Sequence, residues 1–182
     1  MAKRHCSFMI TQEQIDTITL QLGRKPVGAL EVMAFDRDQQ PAVLKVDPLA
    51  EGKPFPSMYW LTSPLIHKAI SNIERTAWIK DLENNILPND ETLTAKLKAD
   101  NENYKKLRWD LFTSLHDQNG IDDSFLKVIK DTGIGGIQDF TRVRCLHMHY
   151  AYHIVHGGFV GELLDKQFQL NELVYSGSKE KL

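Results

Sequence analysis

The spacing of apolar and polar positions in the first third of the chain predicts one helix followed by a small sheet. Thr11 and Gln14 form a capping-box pair and Gly23 is a typical helix stop, so we predict a helix over residues 12–22. Three short apolar runs rich in β-prone side chains follow, separated by a polar turn and by a loop that contains proline and glycine. They predict strands at residues 27–35, 42–46 and 58–61.

The rest of the chain carries the longer apolar period of helices. Ser63 and Pro64 form a typical helix start, and we predict that this helix continues to about residue 86, before Pro88. A single domain over residues 1–182 is predicted, with an α+β fold in which a small antiparallel sheet of about three strands packs beside a larger helical part. Further helices are predicted at residues 90–116, 123–130, about 140–156 and 160–168, with a frayed tail from residue 176.

Composition narrows the class of protein. Of the 182 residues, 42% are hydrophobic and 25% are charged, as in an ordinary soluble globular protein. The net charge of −2 gives no general attraction to nucleic acid or to an anionic membrane, so neither is an expected partner. No apolar run is long enough to span a bilayer. Two cysteines, Cys6 and Cys145, do not form a disulfide framework, and a reducing cytoplasm is the expected location.

Candidate chemistry is concentrated in residues 141–156, which hold four of the seven histidines and one of the two cysteines. On a helical wheel His147 lies on the face of the apolar residues, whereas Cys145, His149 and His156 lie on the opposite face, with His153 at its edge. His147 is therefore our candidate for acid–base catalysis, and Cys145 is a candidate nucleophile or ligand. The alternative is that His147 is a core histidine bonded to a backbone carbonyl.

The other three histidines are spaced for a metal ion. His149 and His153 are four residues apart and His153 and His156 are three apart, so their imidazoles can turn toward one divalent transition metal such as zinc. A fourth ligand would have to come from elsewhere, for example from His5, Cys6, His67 or a carboxylate. The alternative is a solvated stripe of histidines without any metal.

A glycine-rich turn precedes the same helix and suggests an anion site. Gly135 and Gly136 allow close approach of a ligand to the backbone, and Arg142 and Arg144 are predicted to lie in the first turns of the helix, after Asp139 as N-cap. A phosphate or carboxylate group of an anionic small molecule fits such a site. Loop flexibility and helix termination explain the glycines equally well.

Three segments carry a family resemblance: LGRKPVG at residues 22–28, PFPSMYWLTSP at 54–64 and VRCLH at 143–147. Together and in this order they resemble the DUF501 family, which implies a cytoplasmic bacterial protein and no particular activity. The family typically has cysteine where this chain has Ser63, so a thiolate pair with Cys145 is not expected here. Cys145 and His147 remain the best candidates for a site shared with the family.

These observations leave two hypotheses, and whether the protein is an enzyme stays open. The leading one is a cytoplasmic protein with a small-molecule, anion or metal site around the helix at residues 145–156. The alternative is a non-catalytic interaction protein that docks through the mixed-charge helix at residues 90–117. The sequence does not indicate an oligomeric state.

Overall fold

The computed structural model describes residues 10–175. Within that range the chain forms seven α-helices, a three-stranded antiparallel sheet and a small two-stranded sheet, which confirms the predicted α+β class. The expected fraying from residue 176 concerns residues outside the described part. None of the helices in the described range is long and apolar enough to cross a membrane.

The three-stranded sheet consists of β1 (Ala29–Phe35), β2 (Pro41–Val46) and β5 (Tyr59–Leu61), in the order β1-β2-β5. The first two strands form the predicted hairpin. The intervening loop is more regular than predicted, because β3 (Leu49–Ala50) pairs antiparallel with β4 (Lys53–Pro54). Helix α1 (Gln12–Leu22) begins with the predicted capping box at Thr11 and ends at Gly23, whose φ of 67° is the left-handed conformation that glycine accepts easily.

The second helix is shorter than predicted. Helix α2 (Pro64–Glu74) begins at the predicted Ser63 N-cap but ends at Glu74. The Thr76 hydroxyl donates to the carbonyl of Ile73 and accepts from the amide of Trp78, so it satisfies backbone groups outside a continuous helix. A four-residue helix α3 (Trp78–Asp81), a π-helical turn (Leu82–Ile86) and a 3₁₀ turn (Leu87–Asn89) then lead to the next long helix.

Helix α4 (Glu91–Leu115) buries one stripe of side chains: Leu97, Asn101, Tyr104, Arg108 and Phe112. Arg108 is fully buried, and its guanidinium donates to the backbone carbonyls of Pro56, Val128, Ile129 and Thr132. The last three belong to helix α5 (Asp123–Asp131) and the residue after it. A buried cation therefore fixes α5 and the segment before β5 against α4.

Helix α6 (Leu146–His156) is the centre of the fold and packs against β5, α2 and α7 (Phe159–Phe168). It begins about six residues later than predicted, and its N-cap is Cys145 rather than Asp139. The Asp139 carboxylate instead accepts from the amide and hydroxyl of Thr141 in a local turn. Seven of its eleven residues are buried, on both faces of the helical wheel: Leu146, His149, Tyr150, Ala151, Tyr152, Ile154 and Val155.

Candidate metal centre

Two glutamates hold the segment that enters α6. One oxygen of Glu83 accepts from the amide of Val143 at 2.7 Å and the other accepts from Arg142 at 2.9 Å. One step further along, Oε1 of Glu74 accepts from the amide of Leu146 at 2.7 Å. Glu74 thus provides the N-terminal cap of α6 from the last turn of α2, where a negative charge is favourable. This leaves Oε2 of Glu74 for other partners.

Glu74, Cys145 and His147 form a cluster at this point. One ligand atom from each lies within 4.8 Å of the other two. Nδ1 of His147 is 3.2 Å from Oε2 of Glu74 and 3.7 Å from Sγ of Cys145. The three side chains are half-buried, so the cluster lies between the interior and the surface.

The other nitrogen of His147 is already engaged. Nε2 lies 3.2 Å from the backbone carbonyl oxygen of His67 and 3.2 Å from Oγ of Ser71. A carbonyl oxygen can only accept, so Nε2 is placed to donate to it, while Nδ1 faces the Glu74 carboxylate and the Cys145 thiol and would be the nitrogen that a metal ion reaches. Donation from the distal nitrogen to a carbonyl is the usual arrangement of a histidine that ligates a metal.

The residues that contact His147 from α2 lie on one face of that helix. His67, Ser71 and Glu74 are spaced by four and three residues, which brings them onto the same side of the helix. The rings of His67 and His147 are 4.1 Å apart between centroids. Burial lowers the pKa of His67, and the neighbouring imidazole of His147 lowers it further, so His67 is favoured in its neutral form beside the cluster.

Two of the three distances between ligand atoms are close to those of tetrahedral zinc ligands. With ordinary zinc–ligand bond lengths, a sulfur and a nitrogen ligand are about 3.6 Å apart and a nitrogen and an oxygen ligand are about 3.4 Å apart. The corresponding distances here are 3.7 Å for Cys145 to His147 and 3.2 Å for His147 to Glu74. The hydrogen bond from Leu146 holds the carboxylate so that Oε2 is its available ligand atom.

The electrostatics around Cys145 favour the neutral thiol in the absence of a cation. Burial raises the pKa of the thiol and the Glu74 carboxylate raises it further, while the backbone amide of Met148 opposes the change. A positive ion in the cluster would reverse this balance, because a coordinated thiol is held as thiolate.

A pocket of about 390 Å³ lies on the other side of Cys145. Its wall includes Ser57, Thr132, Gly135, Gly136, Arg144 and Cys145. His147 and Glu74 are not part of this wall, so Cys145 is the residue that the pocket and the cluster share. Cys145 was predicted as a site residue together with His147, and the structure brings both to one cluster.

The four residues of the predicted anion site are only partly brought together. Gly135, Gly136 and Arg144 line the same pocket. Arg142 does not line it, since its guanidinium pairs with Glu83 at 2.9 Å. Neither arginine is in the first turn of a helix, because α6 begins only at Leu146.

The structure does not bring His149, His153 and His156 together around one point. His149 is buried, and its Nε2 has no hydrogen-bonding partner in the described part of the chain. His153 lies 2.9 Å from Asp165 of α7, and His156 lies 2.7 Å from the hydroxyl of Tyr59 on β5. His153 and His156 contact different neighbours and His149 is enclosed in the interior, because α6 is surrounded by packed elements. His67 approaches His147 instead, and His5 and Cys6 lie outside the described residues.

Residues 32–165 match the model of DUF501, a family described as proteins of unknown function. The chain belongs to the DUF501 family. The matched region includes Glu74, Cys145 and His147, so the whole cluster lies within the part of the chain that defines DUF501 membership. No curated protein and no solved structure matches the chain.

Sequence reasoning missed two residues of this DUF501 protein. Glu74 gives no local signal, because its partners are more than 70 residues away along the chain. Arg108 could have been found, because it lies at helical spacing between Leu97, Tyr104 and Phe112 of α4, and an arginine on such a face is expected to be buried and bonded.

Proposed function

We propose that this protein binds a divalent transition metal ion, zinc in the first instance, through Glu74, Cys145 and His147. The observation that carries the proposal is the spacing of the three ligand atoms, which all lie within 4.8 Å of one another, with the two distances from His147 close to tetrahedral ligand distances. Sulfur, nitrogen and carboxylate oxygen are the donors that zinc accepts. A cytoplasmic location, which keeps the thiol reduced, remains part of the proposal.

The surroundings of the cluster support a metal site. The ring of His147 is fixed by the His67 carbonyl and the Ser71 hydroxyl, and the carboxylate of Glu74 is fixed by the Leu146 amide. Such outer contacts orient the ligands and set the tautomer of a ligating histidine. The second nitrogen of His147 faces the thiol and the carboxylate, which are the two other donors that the proposed ion would use.

A cysteine nucleophile is the competing interpretation of the same residues. In that case His147 would act as base and Glu74 would orient it, as in nucleophile–base–acid arrangements. A nucleophilic thiol needs a depressed pKa, however, and here burial and Glu74 raise the pKa of Cys145. A divalent ion supplies the missing positive charge, so metal binding accounts for the arrangement better.

Three protein ligands leave one coordination position of a tetrahedral ion for water or a small molecule. This is the coordination typical of catalytic zinc, where the metal lowers the pKa of bound water or polarises a carbonyl. The molecule that occupies this fourth position decides whether the site performs a reaction or only binds. Cys145 is the residue that the metal site shares with the neighbouring pocket.

The proposal is tested by metal titration of protein that has been purified without a histidine tag and treated with chelator. Zinc affinity is measured by competition with a chromophoric chelator, and cobalt(II) reports sulfur ligation through its thiolate charge-transfer band. We expect one ion per chain. Loss of an outer-shell hydrogen bond typically weakens metal binding by about 10–100-fold. His147→Ala and Cys145→Ser each remove a ligand and should weaken zinc binding by more than that.

Two control variants separate this site from other histidines. His67→Ala removes an adjacent imidazole but keeps the backbone carbonyl that contacts His147, so zinc affinity should change by only a few-fold. His153→Ala tests the three-histidine site expected from the sequence and should leave zinc binding at the cluster intact. If His147→Ala binds zinc as tightly as the wild type, or if cobalt gives no thiolate band, the proposal is wrong.

The alternative of a docking surface on α4 remains a prediction. One stripe of this helix is used for packing, and its outer face carries mixed charges such as the pair Lys105–Glu102 at 3.0 Å. A mixed-charge face of this kind is common on solvated helices.

A further inference from the structure

The pocket beside Cys145 has the size of a small-molecule site. Its volume of about 390 Å³ exceeds what a single inorganic ion fills and falls in the range of ligand pockets. Its walls come from four separate parts of the chain: the segment before β5, the end of α5, the glycine turn at Ile134–Gly136 and the start of α6. Such a convergence of elements is typical of a preformed binding site.

The charge of the pocket is positive. Arg144 is exposed at its wall, and within residues 10–175 its guanidinium has no ion pair or hydrogen-bonding partner. None of the described residues that line the pocket is aspartate or glutamate. Arg142 differs in this respect, because Glu83 already neutralises it. An anion entering the pocket therefore meets one available guanidinium and no carboxylate in the wall.

A second guanidinium lies directly behind the wall. Arg108 donates to the carbonyls of Pro56, Val128 and Thr132, and these three residues all line the pocket. No carboxylate of the described residues lies within salt-bridge distance of Arg108, and Asp131 acts on it only from further away. A buried charge with few counter-charges is weakly screened, so its field favours an anion in the adjacent space.

The wall also presents donors and allows close approach. The buried hydroxyl of Ser57 contacts the thioether of Met148 at 3.1 Å, a weak acceptor that a ligand oxygen can replace. Gly136, with φ of 75°, lies so close to Pro56 that a Cβ atom would come within 3.1 Å of the proline ring. A glycine at this point keeps the wall compact and its backbone accessible.

We propose that this pocket binds a small organic molecule through an oxyanion group, a phosphate monoester or a carboxylate, which pairs with Arg144. Arg108 behind the wall adds long-range attraction, and the Ser57 hydroxyl donates a hydrogen bond to the ligand. Binding of the anion does not require the metal ion proposed above. With the ion present, the ligand would lie beside the ligating sulfur of Cys145.

Isothermal titration of metal-free protein tests the inference with three probes at constant ionic strength: inorganic phosphate, phenyl phosphate and benzoate. We expect saturable one-site binding of phenyl phosphate or benzoate, tighter than that of inorganic phosphate because the pocket also accommodates the ring. The two organic probes share a ring and differ in the anion, so their comparison identifies which oxyanion the site prefers.

Matched arginine variants locate the binding. Arg144→Gln should weaken binding of the preferred probe by about 10-fold or more, as expected for loss of a hydrogen bond to a charged group. Arg144→Lys should recover part of the affinity, and Arg142→Gln should retain wild-type affinity. Arg144 is exposed, so its variants should keep the wild-type circular dichroism spectrum and melting temperature.

Three results would overturn the inference: no saturable binding of any probe, unchanged affinity in Arg144→Gln, or an equal loss in Arg142→Gln. The metal proposal fails separately. Arg144→Gln should bind zinc like the wild type, whereas His147→Ala, which changes the cluster but not the pocket wall, should lose zinc and still bind the anionic probe.

Discussion

The buried imidazole of His149 makes the stability of this protein depend on pH in a way that a single substitution removes. His149 is 2% exposed, its Nε2 has no hydrogen-bonding partner among the described residues, and burial lowers its pKa from 6.5 to about 4. The folded protein therefore takes up a proton at His149 much less readily than the unfolded chain does. His149→Leu, which fills a similar volume without a titratable group, is the perturbation that isolates this effect.

The sign and the magnitude follow from proton linkage. Above pH 7.5 the imidazole is neutral in both states and contributes no pH-dependent free energy, but as pH falls from 6.5 toward 4 only the unfolded chain becomes protonated at this residue. With these two pKa values the wild type loses about 2 kcal/mol of unfolding free energy between pH 7.5 and pH 5 through His149 alone, and about 3 kcal/mol once the pH is well below 4.

Urea denaturation of wild type and His149→Leu, followed by circular dichroism with chelator present, measures this difference. At pH 7.5 the variant should lie within about 1.5 kcal/mol of the wild type, because loss of an unpartnered polar atom offsets imperfect packing. Between pH 7.5 and pH 5 the unfolding free energy of the variant should rise by about 2 kcal/mol relative to that of the wild type. All other titrating groups are common to both proteins, so parallel pH profiles would refute the reasoning.

Three further predictions follow from the packing and the site. Gly161→Ala should lower the unfolding free energy by about 3 kcal/mol or more in a denaturation assay, because its Cβ would lie 2.0 Å from the ring of His153. Arg108→Met should lower it by a similar amount, about 3 kcal/mol, because four buried carbonyls lose their donor. Zinc should raise the melting temperature reversibly with chelator, and less so at pH 5.5 than at pH 7.5, because protons compete for the thiolate and imidazole.

The elements that depend on local contacts could be predicted from the sequence. Thr11 with Gln14, Ser63 with Pro64, and the turn between β1 and β2 each act within a few residues, and the structure has them as expected. Cys145 and His147 are neighbours in the chain, so their proximity is also a local property. Local contacts of this kind can be predicted without knowing the rest of the fold.

The parts that the sequence could not predict depend on distant partners. Helix α6 begins at Leu146 because Glu74 accepts from that amide, whereas the local signal at Asp139 only makes a turn. The same carboxylate completes the metal cluster, and nothing near Glu74 in the chain points to this role. A helical wheel grouped His149 and His153 correctly along one helix, but it could not show that different neighbours surround each ring.

The bonds of Arg108 have a consequence for how this protein folds. Its carbonyl partners at Pro56 and at residues 128–132 come from chain segments about 50 and 20 residues away, and the guanidinium loses its water only when all of them are in place. Partial assembly would leave a desolvated cation without acceptors. The segment before β5 and the end of α5 should therefore open together as one cooperative unit, and their amides should exchange with solvent hydrogen at a common free energy.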